Sequence, residues 1–204
     1  MNHIWWYQAR AAGFVAYALL TGSVVLGLAL TTRALGRRPR PAWLLDLHRW
    51  LGGLATIFVG VHLLALMADS YTHFGVADLL VPFASSWRPT AVAWGVVGFW
   101  LLLAVELTSL ARRRLPGRLW RLVHVASFPL FVVATLHVVY AGTDGDVPAV
   151  QFGLLAAAGL VAVLTIVRLW QLDAEPEPRV TARTGVSAAM RRRADGAPIV
   201  ERTD

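Results

Sequence analysis

Five long apolar stretches restrict this sequence to a membrane-spanning fold. They cover about residues 11–31, 45–68, 90–110, 119–141 and 149–171. Each provides the roughly 20 mostly apolar residues that a helix needs to cross the hydrocarbon core of a bilayer. Hydrophobic residues make up 57% of the chain and charged residues only 15%, which leaves too few charged side chains to cover a soluble domain. The sequence therefore predicts an all-α membrane protein, a bundle of five transmembrane helices, and excludes a soluble enzyme.

Arginine clusters between these stretches predict how the chain is oriented in the membrane. All 19 basic residues are arginine, against 12 acidic residues. One cluster, at residues 33–40, follows the first stretch, and another, at residues 112–118, follows the third. The other two connections hold more acidic than basic residues. The positive-inside rule puts the arginine-rich loops in the cytoplasm, the N-terminus outside and the C-terminus inside. Nucleic-acid binding is not expected, because these arginines stand between apolar stretches and do not form one basic face.

Two regions lie outside the five stretches. Residues 70–88 are predicted to form an outer loop, in which residues 76–83 have the pattern of a short interfacial helix. From residue 173 onward the chain is rich in proline, arginine and acidic residues, a composition typical of disorder. We therefore expect a membrane domain over residues 1–172 and a disordered cytoplasmic tail over residues 173–204.

Four histidines inside the apolar stretches form two matched sets. His48 and His62 lie 14 residues apart on the second stretch, and His124 and His137 lie 13 residues apart on the fourth. Both helices follow an arginine-rich loop and run outward, so each carries one histidine near its inner end and another about 20 Å further out. Ionisable groups within a bilayer are costly and mark function. Each pair at one depth can ligate one haem iron axially, and the absence of cysteine excludes covalent haem attachment and iron–sulfur clusters.

The helical phase places the two histidines on one face of the second helix but not of the fourth. At about 100° per residue, a 14-residue step ends about 40° from its start, so His48 and His62 share a face. Small side chains lie between them on that face: Gly52, Ala55 and Val59. A 13-residue step ends about 140° from its start, which opposes a shared face on the fourth helix. Pro129 has no backbone N–H, and we expect it to bend or rewind that helix and offset part of the mismatch.

Arginines near the histidines are the predicted partners for the anionic carboxylates of haem, since a guanidinium forks onto a carboxylate. On the inner side these are Arg49, Arg118 and Arg121; on the outer side, Arg10 and Arg88. The competing interpretation is that these arginines only follow the positive-inside rule.

Two segments of the sequence resemble a known family. LHRWLGGLATIFVGVH and LWRLVHVASFPLFVVATLH are similar to the paired-histidine helices of the ferric reductase-like transmembrane family. This family includes NADPH oxidases, ferric reductases and the haem membrane subunits of bacterial methionine sulfoxide reductase systems. The likeness covers about residues 10–171, and its most specific part is the pair of histidine spacings. It implies two stacked, non-covalent b-type haems, one held by His48 and His124, the other by His62 and His137.

The sequence departs from the family pattern in two respects. Many members have six spans where five are predicted here, and after the spans we expect a disordered tail in place of an FAD- or NADPH-binding domain. We therefore expect the membrane subunit of an oxidoreductase, without catalytic residues of its own, in the cell membrane. It would pass electrons from a cytoplasmic-side donor, a separate flavoprotein or a quinol, to ferric iron, oxygen or a partner protein outside.

Two other functions are compatible with the sequence. The first is a cytochrome b subunit of a quinone-linked dehydrogenase, with electrons running inward; a reducible quinone pool in the purified protein would identify it. The second, from a different class, is a haem-free transporter or scaffold that uses its histidines as polar contacts or proton carriers. An absorption spectrum separates this last function from the others.

Overall fold

The computed structural model describes residues 4–32, 42–70 and 73–173, and every regular element in these residues is a helix. The helices are α1 (Ile4–Thr31), α2 (Ala42–Ala68), α3 (Val76–Leu80), α4 (Pro89–Leu110), α5 (Gly117–Val125), α6 (Ser127–Ala141) and α7 (Pro148–Asp173). A 3₁₀ turn, Arg112–Arg114, precedes α5. Five segments are long and apolar enough to cross a membrane: α1, α2, α4, α5 together with α6, and α7. The prediction of an all-helical, five-span, multi-pass membrane protein is thus confirmed for the described residues.

The boundaries of the elements differ modestly from the predicted ones. The first span begins at Ile4, seven residues before the predicted start. The short helix α3 lies inside the predicted residues 76–83, and the backbone N–H of Gly75 donates to Asp78 Oδ2 at 2.8 Å in its first turn. The arginine cluster at residues 33–40 and the predicted tail beyond residue 173 lie outside the described residues.

The fourth span is interrupted at Ala126, between α5 and α6. The N–H of Ala126 bonds to the carbonyl of Val123 at 3.0 Å, three residues back, instead of four. Three residues later, Pro129 has no N–H to bond the carbonyl of Val125. We expected Pro129 to bend or rewind this helix, and the structure shows an interruption at Ala126, three residues before the proline. Because the helix is interrupted between His124 and His137, the directions of these two side chains around it are not related by a continuous 100° per residue.

The helices pack as neighbouring pairs that leave space for a site. α1 packs closely along α2, and α4 along α6, whereas α2 and α6 have no comparably close backbone approach among the described residues. One buried apolar cluster joins α1, α6 and α7 through Val24, Leu28, Phe131 and Val161. A second packs the segment between α2 and α4 against α4 through Phe74, Leu79, Val92 and Val96. These contacts leave a cavity between α1, α2, α4 and α6.

By its contacts the chain divides into two units, residues 1–168 and residues 169–204. The first contains α1 to α6 and α7 as far as Arg168. Of the second, the structure describes only residues 169–173, which are helical.

Candidate functional site

The four intramembrane histidines meet in two pairs, as predicted. The ring centroids of His48 and His124 are 6.0 Å apart, and those of His62 and His137 are 6.4 Å apart. We call these the inner pair and the outer pair, following the predicted topology. An imidazole nitrogen binds a transition metal at about 2 Å, and roughly 1 Å more separates that nitrogen from its ring centre. Two axial imidazoles on one metal therefore have centroids about 6 Å apart, the separation that both pairs show.

Hydrogen bonds at Nδ1 orient three of the four rings. In each of the three, Nδ1 bonds to a backbone carbonyl: His48 to Ser23 at 2.9 Å, His62 to Ala9 at 2.7 Å and His137 to Ala91 at 2.8 Å. Because a carbonyl only accepts, Nδ1 carries the proton in these rings. Nε2 then keeps its lone pair and is available to a metal. His124 differs, since its Nδ1 lies 3.4 Å from the hydroxyl of Ser109.

The same three rings lie against glycines, in places that we call carbonyl–glycine notches. Each notch consists of the accepting carbonyl and a glycine four residues later in the same helix: Ala9 with Gly13, Ser23 with Gly27 and Ala91 with Gly95. An added Cβ would lie 3.2 Å from His62 Nδ1 at Gly13, 3.2 Å from His48 Cε1 at Gly27 and 2.6 Å from His137 Cε1 at Gly95. The glycines therefore make room for the rings.

These notches were not predicted from the sequence, although their spacing is visible in it. A small residue followed by glycine four positions later is a common close-packing pattern in membrane helices. The spacing alone is not specific, because Ala149 and Gly153 of α7 have it too, and an added Cβ at Gly153 would meet nothing within 4 Å. What distinguishes the three notches is a histidine on the neighbouring helix.

The outer pair lines an apolar cavity of about 200 Å³ between α1, α2, α4 and α6. Ala55 and Val59, two of the small residues predicted to lie on the histidine face of α2, also line it, and Ala55 is 1% exposed. Gly52, the third, does not line this cavity. An added Cβ there would lie 3.2 Å from Glu106 Oε2, and also 3.9 Å from Ser23 Oγ. The carboxyl group of Glu106, for which the sequence indicates no partner, therefore lies against α2 close to the residue that holds His48.

The two outer arginines have different surroundings. The guanidinium of Arg10 bonds the carboxylate of Asp144 through two nitrogens, with Nε to Oδ2 at 3.1 Å, and both residues line the cavity of the outer pair. Arg88 donates to the carbonyl of Tyr140 at 2.9 Å and covers the ring of Trp87 at 5.1 Å. Arg88 lines a separate hollow and not this cavity. Of the two, the structure brings only Arg10 to the cavity of the outer pair.

The three inner arginines lie on the surface. Arg49 is exposed and pairs with Asp46 at 3.2 Å. Arg118 and Arg121 are exposed on α5. Their contact with a cofactor carboxylate stays a prediction.

An aromatic residue beside the inner pair was not anticipated from the sequence. The ring of Trp120 stacks on that of His124, with centroids 4.9 Å apart and planes 25° from parallel. The guanidinium carbon of Arg112 lies 4.3 Å from the centre of the Trp120 ring. The indole nitrogen of Trp120 is buried without a hydrogen-bond partner among the described residues. A buried unpaired donor costs about 1–3 kcal/mol.

The donor set fits haem better than a bare metal ion. Within the described ranges there is no cluster of three or more histidine, cysteine, aspartate or glutamate side chains that would enclose an ion. Two neutral imidazoles on opposite sides suit a metal whose other ligands come from a macrocycle. The chain also has no cysteine that would tether haem covalently.

Comparison with known proteins identifies the family. The model of the family described as "Ferric reductase like transmembrane component" matches residues 12–135, more than half of the chain. This segment includes His48, His62 and His124 and ends two residues before His137. No curated protein and no solved structure gave a match. Membership suggests a role in transmembrane electron transfer. With five membrane-spanning segments and this match, the chain belongs to the ferric reductase-like transmembrane component family.

Proposed function

We propose that this protein binds two b-type haems non-covalently and carries electrons across the cell membrane. The observation that carries the proposal is the geometry of the two histidine pairs. Their centroids lie 6.0 and 6.4 Å apart, and three of the four rings bond a carbonyl through Nδ1 and so keep Nε2 free. When bound between such a pair, haem iron supplies a one-electron couple.

The residues of the protein hold and orient the two cofactors. His48 with His124, and His62 with His137, would hold the two groups through their imidazole nitrogens. The carbonyl that accepts from Nδ1–H fixes the tautomer and the ring orientation and makes Nε2 more basic. Because a glycine lies behind three of the rings, these rings are held by both a hydrogen bond and close packing.

Charged residues balance the carboxylates of the cofactors. At the outer site, Arg10 would bond a carboxylate while Asp144 keeps its guanidinium in place; Arg88 stays a second, more distant candidate. At the inner site, Arg49, Arg118 and Arg121 are exposed and would turn toward a carboxylate, Arg49 by leaving its pair with Asp46. A guanidinium that bonds a carboxylate by two N–H groups also lowers the negative charge beside the metal.

The direction of transfer follows from the predicted topology. The arginine-rich loop that contains Arg112–Arg114 is cytoplasmic, and it lies at the end of the bundle that holds the inner pair. In this topology a separate flavoprotein or a quinol would donate electrons at that end, and ferric iron, oxygen or a partner protein would accept them at the end that holds the outer pair. Outward movement of one electron is favourable by about 2.3 kcal/mol per 100 mV of inside-negative potential.

Haem content of the purified protein tests the proposal. We expect a dithionite-reduced minus oxidised spectrum typical of b-type haem, two haems per chain, and complete extraction by acid–acetone, because no cysteine tethers the haem. A matched control is His73→Ala, since His73 is exposed outside the spans and its loss should leave both haems in place. A preparation that folds and binds no haem, or only one, contradicts the dihaem function.

A further inference from the structure

One histidine of the inner pair is held differently from the other three. His124 bonds no backbone carbonyl through Nδ1 among the residues described, and its contact with Ser109 Oγ is 3.4 Å, which is long for a hydrogen bond. No glycine of the described ranges lies against its ring either. His124 belongs to the last turn of α5, which ends one residue later, just before the break at Ala126. Its orientation therefore needs another support.

Trp120 provides that support. It lies four residues before His124, so the two side chains share a face of α5. The rings are stacked at 4.9 Å and 25°. Arg112 covers the indole with its guanidinium carbon 4.3 Å from the ring centre, and a cation over an indole face is attractive. The three groups form a stack that begins at the exposed Arg112 and ends on His124.

We propose that Trp120 is a positioning residue for the inner site. Its ring takes the place of the carbonyl–glycine notch and, supported by Arg112, fixes the plane of the His124 imidazole, which crosses that of His48 at 74°. This inference rests on the proposed function, in which the inner pair holds a haem.

The orientation of an imidazole plane has a spectroscopic signature. In low-spin ferric haem, the angle between the two axial imidazole planes sets the splitting of the iron d orbitals, which electron paramagnetic resonance reads as g values. The outer pair has a notch for both of its rings. A loss of the stack should therefore change the inner signal alone.

The test compares variants of the full-length, haem-loaded protein in detergent. Trp120→Leu removes the stack, and Trp120→Phe keeps an aromatic ring while removing the indole N–H. Trp170→Leu is the control, because Trp170 is 72% exposed on α7. His48→Ala, which lacks one ligand of the inner pair, identifies the outer signal. We expect W120L to shift or abolish the inner low-spin signal, and W120F and W170L to keep both wild-type signals.

Two results would overturn the proposal. The first is a W120L protein that binds two haems with unchanged g values. The second is a W120F protein whose inner g values shift as far as those of W120L, because the effect would then come from the indole N–H. If W120L does not fold, Arg112→Ala replaces it, because Arg112 is exposed. If Arg112→Ala shifts the g values of the inner haem, the result supports the stack. If those g values stay unchanged, the result contradicts it. A folded wild-type protein without haem would instead refute the proposed function.

Discussion

Replacing Gly95 by alanine tests the notch that holds His137. The new Cβ would lie 2.6 Å from Cε1, 2.7 Å from Nδ1 and 3.0 Å from Nε2 of that ring, whereas carbon atoms in contact are about 3.5–4.0 Å apart. The ring must therefore move by about 1 Å. Such a movement carries Nδ1 away from the carbonyl of Ala91, which it bonds at 2.8 Å.

The cost of this displacement has two parts. Overpacking a tight contact costs about 1–3 kcal/mol, and the lost hydrogen bond costs about 1 kcal/mol. Together they weaken haem binding at the outer pair by about 2–4 kcal/mol, or roughly 30- to 700-fold. We expect Gly95→Ala to lose the outer haem at concentrations where the wild type keeps two, and to keep the inner haem.

Haem titration followed by absorption spectroscopy measures the effect. Gly60→Ala is the matched control: it lies on α2 two residues before His62, and an added Cβ would meet nothing within 4 Å. This control should bind two haems, and alanine favours a helix over glycine by about 1 kcal/mol. Gly13→Ala should be intermediate, since its Cβ would lie 3.2 Å from the ring of His62. A Gly95→Ala protein with wild-type affinity for both haems would show that His137 does not occupy this notch.

Three further predictions follow from the same geometry. Replacing either histidine of the inner pair by alanine should remove the same haem, and replacing either histidine of the outer pair should remove the other haem. Difference spectra in which one inner and one outer variant lose the same haem contradict the pairing. Arg10→Gln leaves the carboxylate of Asp144 uncompensated and should lower the midpoint potential of the outer haem, because nearby negative charge favours ferric iron; an unchanged redox titration argues against this contact. Since the chain has no cysteine, single cysteines at Gly75 and Arg113, both exposed, should be labelled from opposite sides of the membrane, and labelling from one side refutes the topology.

The depth of each histidine along the membrane was predictable from the sequence, but its direction around the helix was only partly so. A helix advances 1.5 Å per residue, so the spacings along two parallel spans already predict which histidines lie level. The direction of His137 relative to His124 depends on the break at Ala126. Pro129 indicated a disturbance, yet a missing N–H does not specify at which residue the helix is interrupted.

The surroundings of the histidines depend on which helices are neighbours, and this was not predictable from one sequence. The notches that hold His62 and His137 lie on α1 and α4, and nothing in the histidine spacing indicates those partners. The neighbours of the arginines were not predictable from the sequence either. Arg10 lies at the cavity of the outer pair, where Asp144 from a distant part of the chain bonds it, while Arg88 lies beside Tyr140 instead.

The inner and outer pairs differ in a way that matches their proposed tasks. Both rings of the outer pair are fixed by carbonyls and glycines, inside an apolar cavity. The inner pair has one such notch, and its second ring depends on a stack that ends at an exposed arginine. In the proposed function, an electron donor from the cytoplasm approaches the inner pair first. His124, which is supported from the surface side, would lie on the route by which that donor arrives. The two histidines of the outer pair are instead held between helices, away from solvent, where the electron would leave.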